Sequence, residues 1–240
     1  MQAMILCAGA GKRMQPLTHM LPKPLVCVDG RPMVVHHIVK FRRAGVRRIV
    51  INAAHLAPVL QAYLGDGSYW GVTIDWSVEA SCAEQAYESG GGIRAALPYL
   101  TAEAFPVVAC DIMSDYPYRR LIEKARTLCQ HSWDADLVLV PNPSYHKKGD
   151  FSLNVQGMVS YDNPRYTFSS LGVYRRSIFR SESIHRFSLF PWLLQQQTGR
   201  GVHGELYQGR WCNVGDLQEL ARARKQFTSS SLFSELNSVQ

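Results

Sequence analysis

The segment that most constrains this chain is CAGAGKRMQPLTHMLPKPL, from Cys7 to Leu25. A short apolar run, Ala3 to Cys7, reads as a buried strand and empties directly into it. Gly9 and Gly11 let the backbone turn sharply and approach an anion with no Cβ in the way. Successive N–H groups in such a turn can cradle phosphates, with Ala8, Gly9 and Gly11 supplying the backbone. Lys12 and Arg13 add positive charge, and the planar fork of Arg13 suits phosphoryl oxygens. Lys23 stands between Pro22 and Pro24, which stiffen its backbone and aim its ammonium. A lone Gly-x-Gly is often an ordinary turn. This one is not a P-loop, because no Gly-Lys-Ser/Thr follows. It is not a dinucleotide fingerprint either, because a third glycine and a prompt helix are missing. The information lies in the combination of strand, Gly-x-Gly-x-Arg, Pro-Leu-Thr and Pro-Lys-Pro-Leu.

Beyond this segment, strand and helix signals alternate. Arg47 to Ala53, Val72 to Val78, Phe105 to Cys110 and Asp136 to Val140 read as strands. Met33 to Ala44, His55 to Leu64, Gly92 to Leu100 and Tyr118 to Gln130 read as helices, the first stopped by Gly45. Alternation of this kind implies crossover connections and a mostly parallel sheet. Ligands on such sheets bind beyond the carboxyl ends of the strands, where Gly9 to Arg13 and Asp111 fall. The expected fold is α/β, a Rossmann-like mixed, mostly parallel sheet flanked by helices, with a smaller C-terminal substrate lobe.

The second half changes character. Phe151 to Val155, Met158 to Tyr161 and Tyr166 to Tyr174 read as shorter alternating strands, and Phe187 to Gln197 as a helix. Val202 to Tyr207 and Arg210 to Val214 suggest a hairpin around Gly209. Asp216 to Phe227 reads as a well-capped helix, and the serine-rich Thr228 to Gln240 as a tail that frays. One domain over residues 1–227 is expected, with a first part of about 1–140 and a substrate lobe of about 141–227, which the resemblance described below makes the nucleotide half and the sugar-binding part.

Composition narrows the function class. The net charge is +7, with basic pairs such as Arg42-Arg43 and Arg47-Arg48. No recognition-helix or aromatic-rich pattern accompanies them, so nucleic acid is not an expected partner. The basic balance suits polyphosphate and sugar phosphate instead. The apolar runs are far shorter than a membrane span and no signal peptide precedes the first strand. The six scattered cysteines form no Cys-x-x-Cys pair, which fits a reducing cytoplasm rather than a zinc or disulfide framework.

Phosphoryl transfer needs neutralised charge, part of it commonly supplied by a carboxylate-held Mg²⁺. Asp111, at a strand end, is the natural ligand. Asp115 lies close and is the second candidate ligand, but is read in the first place as a cap for the helix opening near Tyr118.

Leu6 to Pro32 resembles the N-terminal signature of the sugar-1-phosphate nucleotidylyltransferases and meets each of its fixed positions. By that resemblance, Arg13 and Lys23 serve the triphosphate and the developing negative charge. Val108 to Tyr116 resembles the family strand whose aspartate binds metal, with Cys110 in place of a glycine. Trp211-Cys212-Asn213-Val214-Gly215 resembles its Trp-x-Asp-x-Gly segment, so Asn213 takes the second ligand's place. Glu88-Ser89-Gly90-Gly91-Gly92-Ile93 resembles a loop near the base, and reads equally well as a glycine-rich helix start. Asn142 to Phe151 resembles a stretch of the N-acetylmuramate 1-phosphate uridylyltransferases that faces the sugar, which implicates Asn142, Gly149 and Asp150. Phe168 to Tyr174 also lines up with that subfamily and adds Ser169. Ser188 and Asp162-Asn163-Pro164 stand where relatives carry phosphate-binding lysines, and Ala80 to Tyr87 is longer than its counterpart. The resemblance implies an Mg²⁺-dependent enzyme joining a nucleoside triphosphate, UTP foremost, to a sugar 1-phosphate, N-acetylmuramate 1-phosphate foremost. The alternatives are GTP with mannose 1-phosphate, a CTP-dependent relative, and a nucleotide-binding regulator with impaired catalysis.

Overall fold

The computed structural model describes residues 1–79, 86–180, 183–195 and 200–228. Most of the long stretch Ala80 to Tyr87, the end of the expected helix at Gln197 and the tail beyond Thr228 lie outside them. The strands are β1 (Gln2–Leu6), β2 (Cys27–Val28), β3 (Arg31–Pro32), β4 (Arg48–Ala53), β5 (Thr73–Val78), β6 (Ala104–Ala109), β7 (Ile112–Ser114), β8 (Trp133–Pro141), β9 (Ser152–Leu153), β10 (Val159–Ser160), β11 (Tyr166–Arg175), β12 (Gly201–Leu206) and β13 (Trp211–Asn213). The helices are α1 (Met33–Arg43), α2 (Ala57–Leu64), α3 (Glu88–Ala96), α4 (Tyr118–Thr127), α5 (Leu189–Gln195) and α6 (Leu217–Gln226).

Seven strands form one sheet in the order β12-β8-β11-β6-β1-β4-β5. Within it, β11 runs against its neighbours β6 and β8, and the remaining pairs are parallel. Period-2 alternation assigns side chains to the two faces. Ala3 and Ile5 pack with α1, α2 and α4 on one face, whereas Met4 packs with α3 and α5 on the other. This is the expected helix-flanked, mostly parallel sheet. The later half completes the sheet and adds the small β9-β10 ribbon and α6. A third apolar cluster, including Met14, Met113, Val214 and Phe227, seats α6 against the β7-β13 ribbon. As the sequence suggests, Asp216 caps α6, accepting the Glu219 N–H at 2.9 Å.

Three sequence expectations are corrected. The hairpin around Gly209 does not form: β12 pairs with β8 in the main sheet, and β13 with β7 in a separate ribbon. Each strand finds its ladder with a partner distant in sequence. The helix expected from Gly92 begins at Glu88, because the glycines that suggested a loop occupy its first turns. The helix expected from Phe187 begins at Leu189 and is broken at Phe190, whose φ/ψ of −117°/137° is extended.

Candidate active site

Parallel strands bring their carboxyl ends to one edge. The register pairs Leu6 with Ala109, so the loop after β1 and the Cys110-Asp111 pair after β6 emerge side by side. The loop is built from its own motif. Gly11 is left-handed at φ 64°, and an added Cβ would lie 3.1 Å from both the Lys23 Cβ and the Thr18 Cγ2. Only glycine lets the turn press this closely on Lys23. The buried Thr18 hydroxyl donates to the Gly11 carbonyl at 2.9 Å. The Pro-Leu-Thr and Pro-Lys-Pro spacings are thereby explained: one clamps the loop and the other lays Lys23 beneath it. Lys23 is 8% exposed, and its Nζ reaches Asp111 Oδ2 at 2.5 Å. A largely buried, charge-assisted contact of this kind fixes both groups at the floor of the cleft.

That cleft has a volume of about 340 Å³. Ala8, Gly9, Gly11, Lys23, Glu88, Ser89 and Asp111 all contribute to its lining. Gly9 is exposed, with open space where a Cβ would stand. Lys12 and Arg13 are exposed and do not line it. The Arg13 guanidinium instead lies over Gly215, where an added Cβ would come within 3.0 Å of Nη2. The glycine of Trp-x-Asn-x-Gly thus makes room for the arginine of Gly-x-Gly-x-Arg.

Gly90 and Gly91 are buried rather than open to the cleft. Their N–H groups donate to the Phe187 carbonyl at 3.1 and 3.2 Å. A strap, residues 183–188, covers this helix start: Cβ atoms at Gly90 and Gly91 would collide with the Phe187 ring and the His185 carbonyl. Arg186 of the strap lines the cleft and donates from Nε to Glu88 Oε1 at 2.9 Å.

Sequence reading missed three residues that hold this floor. Asn52, 2% exposed at the end of β4, accepts the Cys7 N–H at 2.7 Å and donates to Glu79 Oε1 at 2.6 Å. Glu79 Oε2 accepts the Tyr87 N–H at 2.8 Å, and burial raises its carboxyl pKa. An asparagine inside an otherwise apolar strand was the available signal. His37 bridges Tyr118 Oη at 2.5 Å and the Cys110 carbonyl at 3.1 Å. Desolvation lowers its pKa to about 3, so it is neutral.

A second cleft, of about 590 Å³, opens beside the first. Its walls include Gly149, Asp150, Trp211, Asn213 and the rings of Phe151, Phe168 and Phe190, whose centroids are 4.9 to 6.4 Å apart. Asp150 takes the Phe168 N–H at 2.8 Å and faces His146 Nε2 at 2.9 Å. Gly149 has φ 71°, and a Cβ would meet Asn142 Oδ1 at 2.8 Å, so this turn requires glycine. Asn142 does not line the cleft. It donates to the Lys147 carbonyl and accepts from the Thr167 hydroxyl, which folds the loop. Ser169 is fully buried, its hydroxyl donating to the Val138 carbonyl at 2.6 Å. An irregularity between Phe168 and Leu171 puts Ser170, at φ 59°, on the cleft wall in its stead. Asp115 is not a cap: it accepts hydrogen bonds from Tyr207 and Arg210, while Pro117 occupies the cap position of α4.

The two clefts meet at a backbone rung. The Val214 N–H donates to the Asp111 carbonyl at 2.8 Å, and Asn213 pairs with Ile112. Asn213 Oδ1 is buried with no hydrogen-bond partner among the described residues. A buried acceptor left unpaired is costly and calls for a donor or cation. Among the described residues no three His, Cys, Asp or Glu side chains cluster as a metal site. Asp111 on the wall of the first cleft and Asn213 on that of the second carry oxygens of the kind a hard divalent cation takes, alongside water and phosphate.

Comparison with known proteins gives the family. Residues 2–160 match the nucleotidyl transferase family model. The chain is 38% identical to the N-acetylmuramate alpha-1-phosphate uridylyltransferase of Neisseria meningitidis serogroup B, over 93% of this chain and 97% of that one. It is 27% identical to the mannose-1-phosphate guanyltransferase of Gibberella zeae, over 96% of this chain and 65% of that one. HddC from Yersinia pseudotuberculosis, solved in complex with GMP-PN, shares the fold at a TM-score of 0.77 and 19% identity, covering 95% of this chain and 99% of that one. The loop cleft, the Lys23–Asp111 floor and these matches together place the chain in the nucleotidyl transferase family.

Proposed function

We propose that the protein joins UTP to a sugar 1-phosphate, N-acetylmuramate 1-phosphate foremost, and releases pyrophosphate. The observation that carries this reading is the Lys23–Asp111 contact beneath a glycine loop, next to an aromatic-walled second cleft. Its particular substrates are suggested by the 38% identity to a uridylyltransferase named for that acceptor. Residues 1–227 act as one domain, with the nucleotide held by about 1–140 and the sugar by about 141–227.

One oxygen of the sugar phosphate attacks the α-phosphorus of UTP. The bond from that phosphorus to the bridging oxygen breaks, and its electron pair leaves with pyrophosphate. The acceptor oxygen is already anionic, so no general base is needed. Lys23 and Arg13 stabilise the charge that spreads over the phosphoryl oxygens. The backbone of Ala8 to Gly11, with Lys12, holds the triphosphate, and Glu88 and Ser89 face the nucleoside. Gly90 and Gly91 act from below, fixing the helix start. Gly149 and Asp150 contact the sugar, and Asn142 shapes the loop that presents them. Asp111 and Asn213 would hold Mg²⁺, which when bound neutralises triphosphate charge. We place this reaction in cytoplasmic cell-wall sugar recycling.

The test is pyrophosphate release by the purified protein with Mg²⁺, each nucleoside triphosphate and a panel of sugar 1-phosphates. Preference for UTP with N-acetylmuramate 1-phosphate is the expected result. Preference for GTP with mannose 1-phosphate assigns the guanylyltransferase reading. Nucleotide binding with no release from any pair leaves a regulator and refutes the enzyme.

A further inference from the structure

A third cavity, of about 270 Å³, opens between α1 and the segment that links β7 to α4. Its walls include His36, Lys40 and Arg43 of α1, and Asp115, Tyr118 and Arg119 of that segment. It shares no lining residue with either cleft of the candidate active site. Lys40 is partly buried there. Its Nζ donates to the Ser114 carbonyl at 2.6 Å and lies 4.3 Å from the centroid of the Tyr118 ring. Both contacts favour an ammonium, yet among the described residues no carboxylate forms an ion pair with it. Asp115, the one acid in this wall, accepts instead from Tyr207 and Arg210. His36 adds no negative charge, and burial keeps it neutral. Desolvation without a counter-ion therefore dominates and lowers the Lys40 pKa to about 7. A lysine in that state is a nucleophile rather than a fixed charge. Arg43 and Arg119 stand exposed at the same cavity and form no ion pair among the described residues. The cavity thus sets a nucleophilic amine beside two permanent positive charges, which suits an electrophile that carries an anionic group.

We propose that Lys40 is a covalent modification site, acylated by a small acyl phosphate whose phosphate is held by Arg43 and Arg119. The Nζ lone pair bonds to the carbonyl carbon. The bond from that carbon to the bridging oxygen breaks, and its electron pair leaves with inorganic phosphate. The nitrogen gives up one proton to water. The product is an amide whose N–H can still donate to Ser114, with no charge over the Tyr118 ring. Neither cleft takes part, so the site stands whatever substrates they bind.

The test incubates the full-length protein with acetyl phosphate and follows acetylation at each lysine by peptide mass spectrometry. At pH 7 about half of Lys40 is neutral, against well under one in a thousand of an ordinary lysine. Nucleophilicity falls with basicity, so the expected preference for Lys40 over the exposed Lys147 and Lys148 is smaller, roughly tenfold. Its rate should rise to about pH 8 and then level, whereas the rates at Lys147 and Lys148 keep rising to about pH 10. In urea the preference should vanish, because the cavity is gone. The double substitution Arg43→Gln with Arg119→Gln should slow acetylation of Lys40 by acetyl phosphate roughly tenfold. It should leave unchanged the reaction of Lys40 with the uncharged N-hydroxysuccinimide ester of acetate. Lys40 that reacts no faster than Lys147 and Lys148, or that keeps its preference in urea, overturns the proposal. Equal slowing with both reagents means that the arginines only tune the amine, and overturns the acyl phosphate as its partner.

Discussion

Gly91→Ala sets two physical effects of opposite sign against each other. In an ordinary helix interior the change stabilises by about 1 kcal/mol, because glycine loses more backbone entropy and alanine is the best helix former. Here the added Cβ would lie 2.2 Å from the His185 carbonyl oxygen and 2.8 Å from the Tyr87 Cβ. Carbon and oxygen need roughly 1 Å more than that to sit without overlap, and the oxygen is backbone, so the strap itself must retreat. Overpacking of this kind costs about 1–3 kcal/mol. Moving the strap also weakens the two N–H contacts from Gly90 and Gly91 to the Phe187 carbonyl, worth about 1 kcal/mol each. The balance is a net loss of about 1–3 kcal/mol after the propensity gain is subtracted. Urea unfolding of the variant and the wild-type protein measures it. Native-state hydrogen exchange at the Gly90 and Gly91 amides locates it, since both should lose protection. A variant more stable than wild type with these amides still protected would refute the reasoning, because propensity would then have won and the strap would not rest on this helix.

Other outcomes follow from the same contacts. Asn52→Ala orphans the Cys7 N–H and one oxygen of the half-buried Glu79, so a loss of about 2–4 kcal/mol in chemical unfolding is expected, with weakened UTP binding. Burial lowers the pKa of Lys40 to about 7, against the opposing pull of Asp115. Between that value and the ordinary 10.5 the unfolded chain binds the proton that the folded chain lacks, so folding strengthens as pH rises through this window. The stability of wild type relative to Lys40→Met should therefore increase from pH 7 to 10, and a flat difference in unfolding free energy would contradict it. Asn213→Asp places a second carboxylate beside Asp111. Without divalent cation it should melt lower than wild type, and Mg²⁺ should raise its melting temperature more than it raises that of the wild-type protein. An equal Mg²⁺ shift in both would remove residue 213 from the ligand set.

The sequence was most informative where one local segment builds its own geometry. Gly11, Thr18 and Lys23 meet within sixteen residues of Cys7, so the loop and its cation were legible in their spacing, whereas the Thr18 clamp emerges only from the folded loop. Asp111 was legible because a strand end is a fixed place in a parallel sheet. What required distant partners was not legible. Asn52 looks like one polar interruption in an apolar strand until β1 lies beside it and offers the Cys7 N–H. Glu88 to Gly91 was open to both a loop and a glycine-rich helix start, and the reason for its glycines lies in the strap, some ninety-five residues later, which fills the space where side chains would be. Ser169 and Ser170 exchange places because the irregularity in β11 shifts which of the two faces the cleft, and a side-chain period of two makes a single-residue slip a change of face. Asp115 was read as a cap from its distance to Tyr118, whereas Tyr207 and Arg210, brought by the β13 ribbon, claim both its oxygens.

The most direct test of the central claim is a comparison of Lys23→Ala with wild type, following UTP, sugar nucleotide and pyrophosphate by ³¹P nuclear magnetic resonance. N-acetylmuramate 1-phosphate and Mg²⁺ are present at saturation. Removing one preorganised cation from the developing charge costs about 3 kcal/mol of transition-state stabilisation, so kcat should fall by roughly two orders of magnitude or more. Wild type should form sugar nucleotide and pyrophosphate in equal amounts. A Lys23→Ala variant that turns over as fast as wild type would contradict the account, because the buried Lys23–Asp111 contact would then be scaffolding and the chemistry would lie elsewhere.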